Sequence, residues 1–97
     1  METYKMRELI GDFAENKDIA KQIRVNKLLP ALEKNRAVTF DFIGVTGATQ
    51  SFIHALISDA IRKYPDKIYD NVFYKNASEE IQEVISIVYR YMQESLL

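Results

Sequence analysis

The chain has 97 residues, 47% of them apolar and 28% charged, with one histidine, no cysteine and a net charge of -1. That balance and length suit one ordinary globular domain over residues 1–97 with a modest core, and they exclude disulfides, thiolate chemistry and a His-rich metal site. No basic surplus points to nucleic acid, and no apolar run approaches the roughly 18 residues that a membrane span needs.

The N-terminus, "METYKMRELIG", mixes charged and apolar residues and has no signal-peptide core. The expected compartment is therefore the cytoplasm. Within it, Thr3–Ile10 alternates imperfectly, with Tyr4 and Met6 inward, and predicts a short first strand. Gly11-Asp12 ends it as a turn pair. From Glu15 to Asn35 the residues Ile19, Ile23, Leu28, Leu29 and Leu32 recur at helical spacing among Lys and Arg. Pro30 interrupts that helix and predicts a kink or a restart near Leu29, with the proline early in a second short helix.

"AVTFDFIGV", Ala37–Val45, is the strongest strand. Val38, Phe40 and Phe42 share one face, and Thr39, Asp41 and Ile43 the other. Its nearly continuous apolar character suits a central strand. Gly44 and Gly47 flank a tight connection. Phe52, Leu56, Ala60 and Tyr64, with Ile53, Ile57 and Ile61 one step round, then make a wide helical stripe, with His54, Ser58 and Arg62 opposite. Pro65-Asp66 stops or turns that helix. Asn71–Asn76 is a short third strand. A last helix follows, with Ile81, Val84, Ile85, Val88 and Met92 as its apolar positions and Ile87 and Tyr91 broadening the face. Asn76 or Ser78 can cap it, and Glu79 and Glu80 suit its positive end. Ser95–Leu97 are expected to fray. The order β-α-β-α-β-α predicts a small layered α/β domain with helices packed on a short, mostly parallel sheet.

The segment "VTFDFIGVTGATQSFIHALISDA", Val38–Ala60, resembles the STAS domains typified by bacterial anti-sigma factor antagonists. Those read roughly "vvlDlsgV", then "tfiDSSGl", then an apolar helix. Asp41, Gly44 and Val45 match the strand. Counted without a gap, Thr49 and Gln50 stand where the antagonists have Asp and Ser, Ser51 stands on their second Ser, and Phe52 replaces their Gly. The match is closer to the STAS-like family of unknown function, whose members read "DF.GV....SF...L". Gly11 fits the family's turn before the first helix. Lys17 takes the place of an Arg that the STAS-like family often carries near that helix.

The resemblance implies a non-enzymatic, cytoplasmic interaction module of bacterial or phage type. It would bind a partner protein, an ATP-binding regulator of the histidine-kinase-like ATPase type, through Thr46–Ser51 and the start of the next helix. In the antagonists the second Ser is the one phosphorylated, which makes Ser51 the candidate phosphosite. The bland reading of Ser51 is a helix cap. A phosphate there would lie beside unpaired helix N–H groups and change the surface by up to about two charges.

Other candidates have simpler readings. His54 follows Ser51 by three residues, but a nucleophilic pair needs an orienting acid, and Asp41 is the only nearby carboxylate that family position supports. The expected role of His54 is a solvated helix-face residue. Asp41, in an apolar strand, is expected to anchor the following turn or a neighbouring loop. Gly44 and Gly47 lack phosphate-loop spacing. No cofactor or metal is expected. Two alternative functions remain: a small-ligand or nucleotide sensor using the same helix start as an anion site, and an oligomerisation module, a homodimer in its simplest form, using the last helix with Ile87 and Tyr91.

Overall fold

In the computed structural model, which describes residues 2–96 and side chains through Glu94, the parallel sheet forms around the most apolar strand. β1 (Glu2–Lys5), β3 (Val38–Asp41) and β5 (Val72–Lys75) lie in the order β1-β3-β5, with β3 central. Both pairings are parallel, and the register places Thr3, Thr39 and Phe73 in one row and Lys5, Asp41 and Lys75 in another. A second, two-stranded parallel sheet pairs β2 (Phe13–Ala14) with β4 (Gly47–Ala48).

The helices are α1 (Met6–Ile10), α2 (Lys17–Ile23), α3 (Leu29–Glu33), α4 (Gln50–Lys63), α5 (Pro65–Asn71) and α6 (Glu79–Leu96), with a π-helical turn over Arg24–Leu28. Leu97, and with it part of the expected fraying, lies outside the described residues. With strand order following chain order, right-handed crossovers put the helices on one face of the main sheet. That face carries Val38, Phe40, Val72 and Tyr74, which join the helix stripes in one core. Phe40 is fully buried between the rings of Tyr4 and Tyr74, at 6.3 and 6.1 Å. Truncating such a residue to alanine costs about 3–5 kcal/mol, a large share of the 5–15 kcal/mol typical of a whole domain.

The structure corrects the first element. The strand ends at Lys5, and Met6–Ile10 is helical. Met6, Leu9 and Ile10 stand at i, i+3 and i+4, so a helix can turn all three toward the core, where Met6 is buried and the other two pack against it. The turn at Gly11 is as expected, at φ +79°.

The long second helix breaks at Pro30, as its sequence predicts. Asn16 caps its start, accepting from Asp18 N–H at 2.9 Å and Ile19 N–H at 3.2 Å. Pro30 has no N–H for the carbonyl four residues back and crowds it. The preceding turn widens to π geometry, with Leu29 N–H bonded to the Arg24 carbonyl, and Pro30 then lies in the first turn of α3. Asn35, at φ +57°, closes α3. Arg36 N–H reaches the Ala31 carbonyl at 2.8 Å and Asn35 N–H the Leu32 carbonyl at 3.1 Å, the paired bonds of a Schellman end.

α4 packs against α2, α5 and α6. Its expected stripe is buried from Phe52 to Ile61. Ser58, expected on the solvent side, is 4% exposed, because α2 and α6 flank α4 and leave a narrow open strip. Arg24 ties α2 to α4. Its Nη1 donates to the Ala55 carbonyl at 2.8 Å, and its Nε lies 3.5 Å from Asp59. Pro65 turns the chain as predicted, but into the additional helix α5.

Candidate functional site

The segment between β3 and α4 is held by backbone bonds rather than by its own side chains. Phe42 N–H donates to the Lys75 carbonyl at 2.8 Å, Val45 N–H to the Phe42 carbonyl at 2.9 Å, and Thr49 N–H to the Ala14 carbonyl at 2.9 Å. Thr46 doubles one anchor: its N–H and its Oγ1 both donate to the Asp12 carbonyl, at 2.7 and 2.9 Å. Gly44 turns at φ +78°, and a Cβ there would lie 2.6 Å from Cδ of Arg7. At Gly47 a Cβ would meet the Phe13 ring at 2.9 Å. These two glycines let β2 and the α1 side close down on the loop.

Asp41 ends β3. Its Oδ1 accepts from Ile43 N–H at 3.0 Å and from Asn76 Nδ2 at 3.0 Å. It therefore fixes the turn after β3 to the turn before α6, the anchoring role expected from the sequence. The bond from Asn76 holds its carboxyl below the ordinary carboxylate range, helped by the Ile43 N–H and by Lys75 and Lys5, against the opposing effect of burial. Bound in this way, Asp41 is not an orienting acid for His54.

Thr49 is the N-cap of α4. Its backbone is extended, at φ -80° and ψ 154°, and its Oγ1 accepts from Phe52 N–H at 3.1 Å. This corrects the bland reading of Ser51. The helix begins at Gln50, so Ser51 is already in its first turn, and the capping bond is made two residues earlier. Ser51 is exposed, and its hydroxyl has no hydrogen-bond partner among the described residues.

Gln50, Ser51 and His54 come together in one solvent-open cleft with Lys17 from α2 and Val88 and Tyr91 from α6. Thr46, Thr49 and Asp41 stand outside it and hold the loop that leads to it. His54 is half-buried rather than fully solvated, with its ring edge-on to Tyr91 at 6.2 Å and 64°. Lys17 reaches the cleft because α2 lies along α4. Sequence position alone links Lys17 to the first helix, and only the packing brings it beside Ser51. Tyr91, 58% exposed, was expected as a broadening of the last helix's apolar face and instead borders the site. Its signal in the sequence is its helical register with Val88 (i, i+3).

A cation and the positive end of a 14-residue helix flank a free hydroxyl here, so added negative charge at Ser51 is tolerated. The described residues hold no cluster of three or more His, Cys, Asp or Glu suited to a metal ion, and none of their helices is long and apolar enough to cross a membrane. The chain belongs to the family described as STAS-like domain of unknown function (DUF4325), which it matches over residues 19–82. That span runs from α2 into α6 and includes the whole loop and cleft except Lys17, Val88 and Tyr91. No curated protein and no solved structure matches the chain.

Proposed function

We propose that this chain is a non-enzymatic regulatory module of the cytoplasm that binds a partner protein through the cleft and loop around Ser51. The partner is an ATP-binding protein of the histidine-kinase-like ATPase type, and phosphorylation of Ser51 switches the contact. The observation that supports this reading is the uncommitted Ser51 hydroxyl: exposed, in the first turn of α4, and relieved of capping by Thr49. A phosphate on it changes the surface by up to about two negative charges. Lys17 and the helix start offset that charge within the domain, whereas an acidic patch on a partner would be repelled at a cost of several kcal/mol.

The test is incubation of the purified chain with ATP and the ATPase-like protein encoded beside its gene, read by intact-protein mass and fragment mapping. Phosphate on Ser51 in the wild type and none in Ser51→Ala supports the switch. Phosphate elsewhere, or none at all, removes it.

A second reading draws on the cleft itself. Lys17, His54 and Tyr91 around a helix start also suit a small anionic ligand, which would make the chain a sensor. Thermal stabilisation by nucleotides or phosphate compounds, lost in Lys17→Glu, would favour that reading.

A further inference from the structure

The sheet face turned away from the helices is the largest feature that the Ser51 cleft does not use. All-parallel sheets are ordinarily covered on both faces. Here the helix-side face carries the core, while Thr3, Lys5, Phe73 and Lys75 on the other side are exposed. Phe73, an aromatic residue, is 45% exposed there, and Ile43, just past the end of β3, is 59% exposed. Between them the ladder places Lys5 and Lys75 on either side of Asp41. The Asp41 carboxylate is already engaged by Ile43 N–H and Asn76, so the two ammonium groups set the sign of the face. Arg7, lying over Gly44, adds a third cation at its end.

We infer that this face docks an acidic amphipathic helix of a partner protein, with apolar side chains on Phe73 and Ile43 and carboxylates toward Lys5, Lys75 and Arg7. Size supports a single helix. Three strands spaced about 4.8 Å apart make a platform roughly as wide as one helix with its side chains, about 10–12 Å. A second copy of this chain would bring Lys5 and Lys75 against the same cations. Nucleic acid fits less well, since phosphate-backbone binding draws on many cations, and here three surround a fixed carboxylate. Glu8 and Asp12 share the adjoining cleft with Lys5 and Arg7, which confines the positive ground to the sheet side. Glu2, at the opposite end, is engaged by Tyr4 and Arg36.

The experiment is an NMR titration of the full chain with a short synthetic amphipathic peptide of Leu, Ala and Glu. The same peptide with Lys for Glu, an oligouridine RNA and phosphatidylserine vesicles serve as the other arms. The acidic peptide is expected to move amide signals of β1, β3 and β5. Binding is expected to weaken about tenfold in Lys5→Glu/Lys75→Glu and to become less salt-sensitive. These positions are exposed, so the fold should persist, as far-UV circular dichroism would verify; Phe73→Ser, which keeps both cations, supplies an independent loss. Absence of binding, equal binding of the basic peptide, tighter binding of RNA or vesicles, or shifts confined to the α4–α6 cleft would each overturn the inference. The last pattern would leave the Ser51 reading standing, because the two surfaces lie on opposite sides of the sheet.

Discussion

Thr49 and Ser51, two residues apart at the start of α4, carry hydroxyls with separate roles: Thr49 Oγ1 holds Phe52 N–H at 3.1 Å, and Ser51 is exposed and unengaged. Stability separates them. Thr49→Ala removes a cap and should lower unfolding free energy by about 1 kcal/mol. Ser51→Ala should stay within about 0.5 kcal/mol of wild type, as surface substitutions do. Ser51→Asp should gain about 0.3–1 kcal/mol from the helix dipole. Urea denaturation midpoints would show this order, and a loss for Ser51→Ala as large as that for Thr49→Ala would return the capping role to Ser51.

Asp41 should govern part of the acid response. Its folded pKa lies below its unfolded value because Asn76 and Ile43 N–H stabilise the charged form. A group depressed in this way contributes stability above its unfolded pKa, and that contribution is lost as pH falls through the folded value. Wild type should therefore weaken progressively below the ordinary carboxylate range, about pH 4. Asp41→Asn should be less stable at neutral pH and flatter across that acid window. Parallel pH profiles for the two proteins would contradict the bonding described at the end of β3.

The alkaline side depends on three tyrosines. Tyr74 and Tyr89 share a hydroxyl contact at 2.8 Å. Burial pushes the Tyr89 phenol up to about 12, with Tyr69 adding to it and the bond to Tyr74 working against it. Burial raises Tyr74 well above its ordinary value. Tyr4 is raised to about 12 by burial and by its neighbour Glu2. For a phenol the neutral form is then favoured by folding. Its contribution is complete below the unfolded pKa near 10 and disappears as pH rises through about 12. Absorbance titration at alkaline pH should find three of the six tyrosines ionising late, together with unfolding. Tyr89→Phe should lose one late ionisation.

Much of this architecture is legible in the residue pattern. Alternation in Val38–Phe42 and the fourfold spacing from Phe52 to Tyr64 are long enough signals to fix a central strand and a buried helix. Pro30 marks the helix break, and Ser78 was one of two candidate caps for α6; its Oγ accepts from Ile81 N–H at 3.2 Å. The missed pieces are short or depend on packing. β2 and β4 are two residues each, too few to show a period. α1 covers one turn and a half after a strand, so its Met6, Leu9, Ile10 spacing was read as failing alternation. The burial of Ser58 follows from helices on both flanks of α4, which no single-helix pattern contains. The cleft itself joins α2, α4 and α6, and its residues meet only through tertiary packing.

The central claim concerns Ser51 as a switchable contact, and calorimetric titration of the neighbouring-gene ATPase into wild type, Ser51→Ala and Ser51→Asp tests it most directly. The account predicts that wild type and Ser51→Ala bind alike, whereas Ser51→Asp, folded and no less stable, binds at least about tenfold more weakly. Equal affinity for all three proteins would contradict it.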